Sequence, residues 1–438
     1  MIFRLPPIGR LAAKMRADAA RLPIRAASTR TRTTTAVLPR RLAPDPDPVL
    51  GTTPLPRSSH GLSALGCGDR LVLYGGESVP RTPIADESQS LWLAERTAAG
   101  SRGSAPSADD DDGDRRWGWI SLGTPEDGVA PPPRLGHSQA SVGDAVYVFG
   151  GRTGVDVSEA PLNDLWRLEV VDVDVDDDDG GGGGRRARWT RIAAPEKEEG
   201  GGGGVGVAVP EARSFHRMIA VNSSLYMFGG CGSSGRLNDM WKFDTLSERW
   251  TNLGMSHLLR GRGGPNVLSL SPRTRGDEDD VRIAIVAGFA GEETNDGHVY
   301  SSSSGSWEHA GMDGVSGAMR KRSVCCFGSF PKLDRCLIFG GEVDPSAMEH
   351  EGAGTFESDF VVLDGASGRV IDVIAGPAAN EPPGGGSVGS WPEARGWSDA
   401  AVGAGGDTLY IFGGLAGDDV TPRRLDDLWE CKVVVVDD

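Results

Sequence analysis

Short apolar runs that close on a glycine pair punctuate the chain: LVLYGG ending at Gly76, VYVFGG at Gly151, LYMFGG at Gly230, CLIFGG at Gly341 and LYIFGG at Gly414. A degenerate copy, IAIVAG, ends at Gly288. Apolar runs of this length bounded by glycine predict buried β-strands. An arginine stands ahead of every copy, at Arg57, Arg134, Arg213, Arg262, Arg322 and Arg395. Small and apolar residues follow it, often with a turn such as Gly143-Asp144 before the run, so each copy predicts a hairpin. Beyond the glycines a polar loop leads to a second apolar segment with an acid and an aromatic: Asn163-Asp164-Leu165-Trp166, Asn238-Asp239-Met240-Trp241, Ser358-Asp359-Phe360 and Asp426-Asp427-Leu428-Trp429. Ser90-Leu91-Trp92 and Gly297-His298-Val299-Tyr300 are looser versions. A further tryptophan follows in four copies, at Trp117 or Trp119, Trp189, Trp250 and Trp307. The pattern predicts four strands per unit and six units, and a unit that cannot bury its own apolar face must stack on its neighbours.

A glycine pair, an aromatic in the third strand and a tryptophan in the fourth resemble the kelch repeat, over roughly residues 56 to 436. The resemblance implies an all-β, six-bladed kelch β-propeller with four-stranded blades around an axis. Successive glycine pairs lie farther apart than the kelch period of about 50 residues. Insertions account for the excess: Ala98 to Arg116, Asp172 to Arg188, Glu196 to Val209 and Gly376 to Ser390 are rich in Gly, Asp or Pro and are expected to be flexible, low-complexity loops. The last copy ends at Val436 with no fourth strand of its own. Thr33 to Leu38 (TTTAVL) is β-prone enough to complete that blade.

A single domain of six blades uses nearly all of the 438 residues. Residues 1 to 44 form a basic tail with Asp18 as its one acid, either disordered or an Arg-rich mitochondrial targeting segment. The net charge of −17 argues against nucleic acid or an anionic membrane as partner. No segment has the run of about 20 apolar residues that a membrane helix requires. Six cysteines without metal spacing are expected to be reduced packing residues of an intracellular, cytoplasmic protein, and a monomer is expected.

Candidate chemistry is sparse. Gly340-Gly341-Glu342-Val343-Asp344, with Glu349, His350 and Glu351 beyond, gathers carboxylates and an imidazole, a donor set that suits ferrous iron. Together with Pro56-Arg57-Ser58-Ser59-His60-Gly61 and Gly75-Gly76-Glu77, this stretch resembles the plant nitrile-specifier and epithiospecifier kelch proteins. In that family a Glu, an Asp four residues on and a His four further bind Fe(II), which assists breakdown of the glucosinolate aglucone. Carried over, the resemblance implies Glu342 and His350 as ligands. Position 346 is Ser, so the middle ligand does not match, and Asp344, the nearest Asp, or Glu349 would have to take its place. The arginine set either braces the blades or offers guanidinium groups to an anionic ligand, with Arg57 and Arg134 the better ligand candidates. His60, His137 and His216 recur at one landmark and are assigned to packing, and four of the five tyrosines precede a glycine pair as core residues. The glycine runs lack the Lys-Ser/Thr of a phosphate loop. Two functions follow: a soluble, non-enzymatic platform holding a protein or small ligand on one face, or an Fe(II)-dependent specifier-like protein acting on unstable thiohydroximate-type substrates.

Overall fold

The computed structural model describes residues 33–66, 70–98, 115–123, 125, 128–154, 160–173, 184–192, 209–272, 280–309, 319–348, 352–376 and 391–437. Contacts group the chain into one unit of Thr35–Val434 and a second of Met1–Thr34 with Val435–Asp438. The larger unit is a β-propeller of six four-stranded antiparallel blades. Blade 1 runs outward through Gly61–Ala64, Arg70–Tyr74, Leu91–Ala98 and Arg115–Ser121. In the next four blades the innermost strands are Ser138–Val142, Arg217–Val221, Asn266–Leu270 and Cys326–Phe330. Blade 6 starts with Asp399–Val402 and continues through Thr408–Ala416 and Arg423–Asp437. Its outer strand is Thr33–Leu42, from the opposite end of the chain. The ring therefore begins ahead of residue 56.

The apolar runs before the glycine pairs are the second strands, and both of their faces are buried. Leu71, Val72 and Leu73 are fully covered, as are Leu337 and Ile338. Alternate residues point into the two gaps flanking a blade, so the core is a series of layers between blades. Trp117, Trp119, Tyr410 and Phe412 fill the gap between blades 6 and 1, and Tyr147, Phe149, Trp241 and Phe243 fill that between blades 2 and 3.

The paired glycines have a measurable reason. Gly341 sits at φ +101°, and a Cβ there would lie 2.7 Å from the carbonyl oxygen of Ser323 and overlap the Cys325 sulfur, both in the same blade. Gly340 faces the following blade, where a Cβ would meet the Arg395 carbonyl at 2.6 Å. Gly143, at φ +61° in a hairpin turn, has nothing within 4 Å. Gly341→Ala should thus cost about 3 kcal/mol or more, from left-handed strain plus a backbone clash, and Gly143→Ala only about 1 kcal/mol from strain alone. Urea unfolding of the two variants measures the difference.

Every blade carries the buried arginine. Arg134 donates from Nε to the Pro132 carbonyl at 3.2 Å and from Nη1 to the Gly150 carbonyl at 2.9 Å, and both Nη atoms hold Asp164 at 2.8 Å. Asp164 also accepts from the Trp166 indole at 2.6 Å. The same Arg–Asp–Trp brace recurs as Arg213, Asp239 and Trp241 and as Arg395, Asp427 and Trp429. Arg262 with Asp296 and Arg322 with Asp359 repeat the bidentate pair. Blade 1 departs from the pattern. Ser90 occupies the acid's place, its carbonyl accepting from Gly75 as that of Asp164 does from Gly150. Arg57 is held by the carbonyls of Leu55, Gly75 and Gln89.

One stretch read as insertion is partly strand. Leu165–Val173 and Gly184–Ile192 form a long hairpin in which Asp172 faces Arg185 and Glu169 faces Arg188. Opposite charges directly across an antiparallel pair support it, and Ala187 and Trp189 anchor its inner side. The acidic and glycine runs hid this alternation. Residues 174–183 of that stretch, 99–114, 193–208 and 377–390 lie outside the described residues, as does the tail up to residue 32.

Candidate functional site

Where the innermost strands begin, the six blades meet in a closed circle of backbone hydrogen bonds. Ser59 donates to Trp397, Gly136 to Ser59, Phe215 to Gly136, Gly264 to Phe215, Val324 to Gly264 and Trp397 to Val324, at 2.6–3.0 Å. All six residues are left-handed, with φ between 49° and 61°. Four of them carry side chains, including the β-branched Val324, for which this conformation is strained. The circle holds because each residue is the third of its Arg-x-x segment, and the buried arginine beside it fixes its position.

The axis is closed below this circle. Arg217 of blade 3 crosses to Asp399 of blade 6 at 3.3 Å, donates to the Cys325 carbonyl of blade 5 at 3.4 Å and lies over the Phe327 ring. Asp399 in turn accepts from the Leu62 amide of blade 1 at 2.8 Å. Burial raises the Asp399 carboxyl despite Arg217. The cavity left on the axis holds about 20 Å³, room for little more than one water. His60, His137 and His216 are buried beside it, edge-on or tilted against Phe412, Tyr74 and Phe149. Desolvation keeps all three neutral, with His137 pushed down to about 3. Their ring nitrogens are buried without a hydrogen-bond partner among the described residues.

The axis itself leaves no room for a ligand larger than water, and the polar side chains of this end gather at the mouth above the circle. Six antiparallel bridges ring it, each joining the residue after a glycine pair to the residue after a brace arginine: Glu77 with Ser58, Arg152 with Leu135, Cys231 with Ser214, Phe289 with Gly263, Glu342 with Ser323 and Leu415 with Gly396. The Phe215 and Trp397 rings, 5.5 Å apart and edge-to-face, form the floor. Arg424 reaches Ser58 at 3.1 Å and Glu77 at 3.5 Å, Arg152 holds the Ser214 hydroxyl at 3.0 Å, and Arg236 lies over Phe289 at 4.6 Å. Burial raises the Cys231 thiol, with Arg236 and Arg152 opposing it.

Among the described residues, two carboxyls at the mouth have no cation beside them. Glu342, 7% exposed, lies next to Glu293, 5% exposed, which the adjacent blade 4 supplies. The Ser323 hydroxyl donates to Glu293 Oε1 at 3.1 Å. Burial, with the Glu342 charge adding to it, pushes Glu293 up to about 8. Burial lifts Glu342 to about 7, the Ser346 amide opposing and Asp419 adding to it. Sequence reading did not reach Glu293, Arg217 or Asp399. The available signal was a charged residue at the start of an innermost strand for Arg217 and Asp399; Glu293 had none.

The predicted site residues fall into two groups. Arg57 and Arg134 are wholly buried braces, with their guanidinium groups turned into the blade. Glu342 is at the mouth, but a bulge in the short strand Glu342–Asp344 turns the next carboxylate outward. Asp344 is 70% exposed and 3.6 Å from Arg320. Ser346 donates to Asp419 of blade 6. His350 lies outside the described residues. Among those described, no three His, Cys, Asp or Glu side chains converge as a metal site.

Six blades with a buried arginine and an indole or other aromatic in the third strand, five of them with a glycine pair and blade 4 with Ala287-Gly288, make the chain a six-bladed β-propeller with kelch-repeat blades. The model of the KLHDC2/KLHL20/DRC7 kelch-repeats domain matches residues 128–341. The chain is similar to N-(sulfonatooxy)prop-2-enimidothioate sulfolyase of Thlaspi arvense, 25% identical over 327 residues that cover 72% of this chain and 78% of that protein. It is 27% identical over 209 residues to the dynein alpha chain of the flagellar outer arm of Chlamydomonas reinhardtii, covering 47% of this chain and 4% of that one. With the host cell factor homolog hcf-1 of Caenorhabditis elegans it shares 31% identity over 130 residues, 28% of this chain and 15% of that one. The last two are far longer proteins, of which the chain spans a small part. The solved structure of YjhT aligns over 87% of this chain and 98% of its own with a TM-score of 0.51 and 15% identity, a likeness of fold.

Proposed function

We propose that the protein is a non-enzymatic binding platform whose mouth holds a segment of a protein partner or a small ligand. One contrast within the chain carries this reading. The brace arginine and the glycine pairs repeat nearly unchanged from blade to blade, whereas the equivalent mouth positions are Glu77, Arg152, Cys231, Phe289, Glu342 and Leu415. Positions that serve stacking repeat in such a ring, so divergence at these equivalent mouth positions fits selection for a ligand. Partial matches to otherwise different proteins, a dynein chain and host cell factor, suit a module of this kind. Cross-linking mass spectrometry on the full chain tests the reading. Cross-links to a partner should concentrate at the mouth and fall about tenfold in an Arg152→Ala/Phe289→Ala variant, while Lys242→Ala, on an outer cleft between blades 3 and 4, leaves them unchanged. Equal loss in both variants would count against it.

A second reading, an Fe(II)-dependent specifier-like protein using Glu342, Asp344 and His350, draws support from the likeness to the Thlaspi arvense sulfolyase. It requires the segment after Glu342 to rearrange, since Asp344 faces Arg320. Metal analysis after anaerobic purification with ferrous iron decides it. Stoichiometric iron that disappears in Glu342→Ala/His350→Ala supports this reading, and a metal content unaffected by the double variant retires it.

A further inference from the structure

We infer that the notch formed by Glu293 and Glu342 takes up a basic side chain, the guanidinium group of an arginine, from the segment bound at the mouth. This deepens the platform reading and rests on it. Two blades contribute to the notch: Glu293 from the third strand of blade 4 and Glu342 from just beyond the glycine pair of blade 5, with Ser323 between them. Ser323 is fixed by reciprocal backbone bonds to Glu342 at 2.9 Å, and its hydroxyl occupies Glu293 Oε1. Glu293 Oε2 is buried and has no hydrogen-bond partner among the described residues. A buried carboxylate oxygen without a donor is costly, and an incoming donor removes that cost.

Among the described residues no cation is placed to do so. Arg320 is taken by Glu357 and Asp344, Arg322 by Asp359 and the Gly340 carbonyl, and Arg260 and Lys321 by Glu292. Asp344 and Asp419 add negative potential around the notch rather than relieving it. Elsewhere at the mouth Glu77 has Arg424, whereas among the described residues Glu293 and Glu342 have no base, and an incoming cation would favour their ionised forms. Guanidinium suits the notch better than ammonium. Its planar fork can donate to two carboxylates at once and is more weakly hydrated, so it loses less on entering a site this enclosed. The aromatic floor of Phe215 and Trp397 offers apolar surface to the methylene stem.

The test uses the full chain and two pentapeptides, Gly-Gly-Arg-Gly-Gly amide and its citrulline counterpart, which keeps the shape and loses the charge. Isothermal titration at low salt should give about tenfold tighter binding of the arginine peptide. Glu293→Gln and Glu342→Gln should each abolish that preference, while the thermal midpoint stays at or above that of the unmodified chain. Equal binding of both peptides, no binding of the arginine peptide up to about 10 mM, or a preference that survives both substitutions would overturn the inference. Loss of arginine binding in the presence of manganese, with metal bound by the unmodified chain and not by Glu293→Gln, would assign the notch to a metal instead and likewise overturn it. Each of these failures leaves the platform reading standing if the mouth variant still loses its cross-links; loss of that result as well removes both.

Discussion

A chain beginning at residue 43 is expected to lose about 5 kcal/mol of stability or more, with a thermal midpoint lower by roughly 10 °C and a tendency to aggregate. Thr33–Leu42 is the outer strand of blade 6, and removing it strips the backbone partners from Arg423–Asp437. Val37, buried with Phe330, Trp429, Cys431 and Val433, leaves a gap in the layer between blades 5 and 6. Thr35 Oγ1 ceases to accept from Arg335 Nε, a bond of 2.9 Å. The propeller closes only because the two ends of the chain share one sheet, so the bare edge would also become a template for another chain. A chain beginning at residue 33 is the matched control. Calorimetry showing equal midpoints for the two would refute the role given to this strand.

Asp239→Ala should cost about 3–5 kcal/mol, because it leaves the Arg213 guanidinium buried without its counter-charge. The pair is far from a surface ion pair: Arg213 has no exposed side-chain area, and Asp239 also accepts from the Trp241 indole. Removing Glu393, whose partner Arg423 is 55% exposed, should cost less than about 1 kcal/mol. Blade 1 allows the opposite experiment. Arg57 is as buried as the others but has Ser90 where they have an acid, and desolvation alone drives it down to about 9. Ser90→Asp should therefore add about 1–2 kcal/mol by supplying the missing bidentate partner. Urea unfolding of the three variants gives the ranking, and an Asp239→Ala cost no larger than that of the Glu393 variant would sink the account.

The braces also set the acid limit of the fold. Burial alone would raise Asp164, Asp239, Asp296 and Asp427, but their arginines hold all four below the ordinary carboxylate value. A carboxyl depressed on folding contributes stability above its unfolded value and loses it as pH falls through the folded one. Glu293 and Glu342 run the other way. Raised on folding, they favour the native state at low pH and cost stability as pH climbs through their values near 7 and 8.

The architecture was legible because a propeller repeats. Six copies of one local pattern gave the blade count, the second strands from apolar runs such as Leu71–Tyr74, and the place where backbones crowd from the glycine pairs. The hairpin Leu165–Val173 with Gly184–Ile192 was not legible, since its acidic and glycine-rich interior has the composition of a loop and its pairing depends on charges that face each other only once the strands are aligned. The brace arginines could be placed but not assigned. Whether Arg57 and Arg134 meet a ligand or a carbonyl depends on where the next strand runs, and the structure turns both into the blade. At the candidate iron positions Glu342 and Asp344 are two residues apart, and a bulge sends their carboxylates in different directions.

What the amino-acid order determined by itself is the repeated unit, for hydrophobic period, turn glycines and aromatic landmarks are local properties that each copy states again. What the tertiary structure alone decided is everything that joins different blades: the backbone circle from Ser59 to Trp397, the Arg217–Asp399 tie across the axis, and the meeting of Glu293 with Glu342. These contacts link residues far apart in the chain. Ring closure, not local pattern, brings them within hydrogen-bonding or charge range.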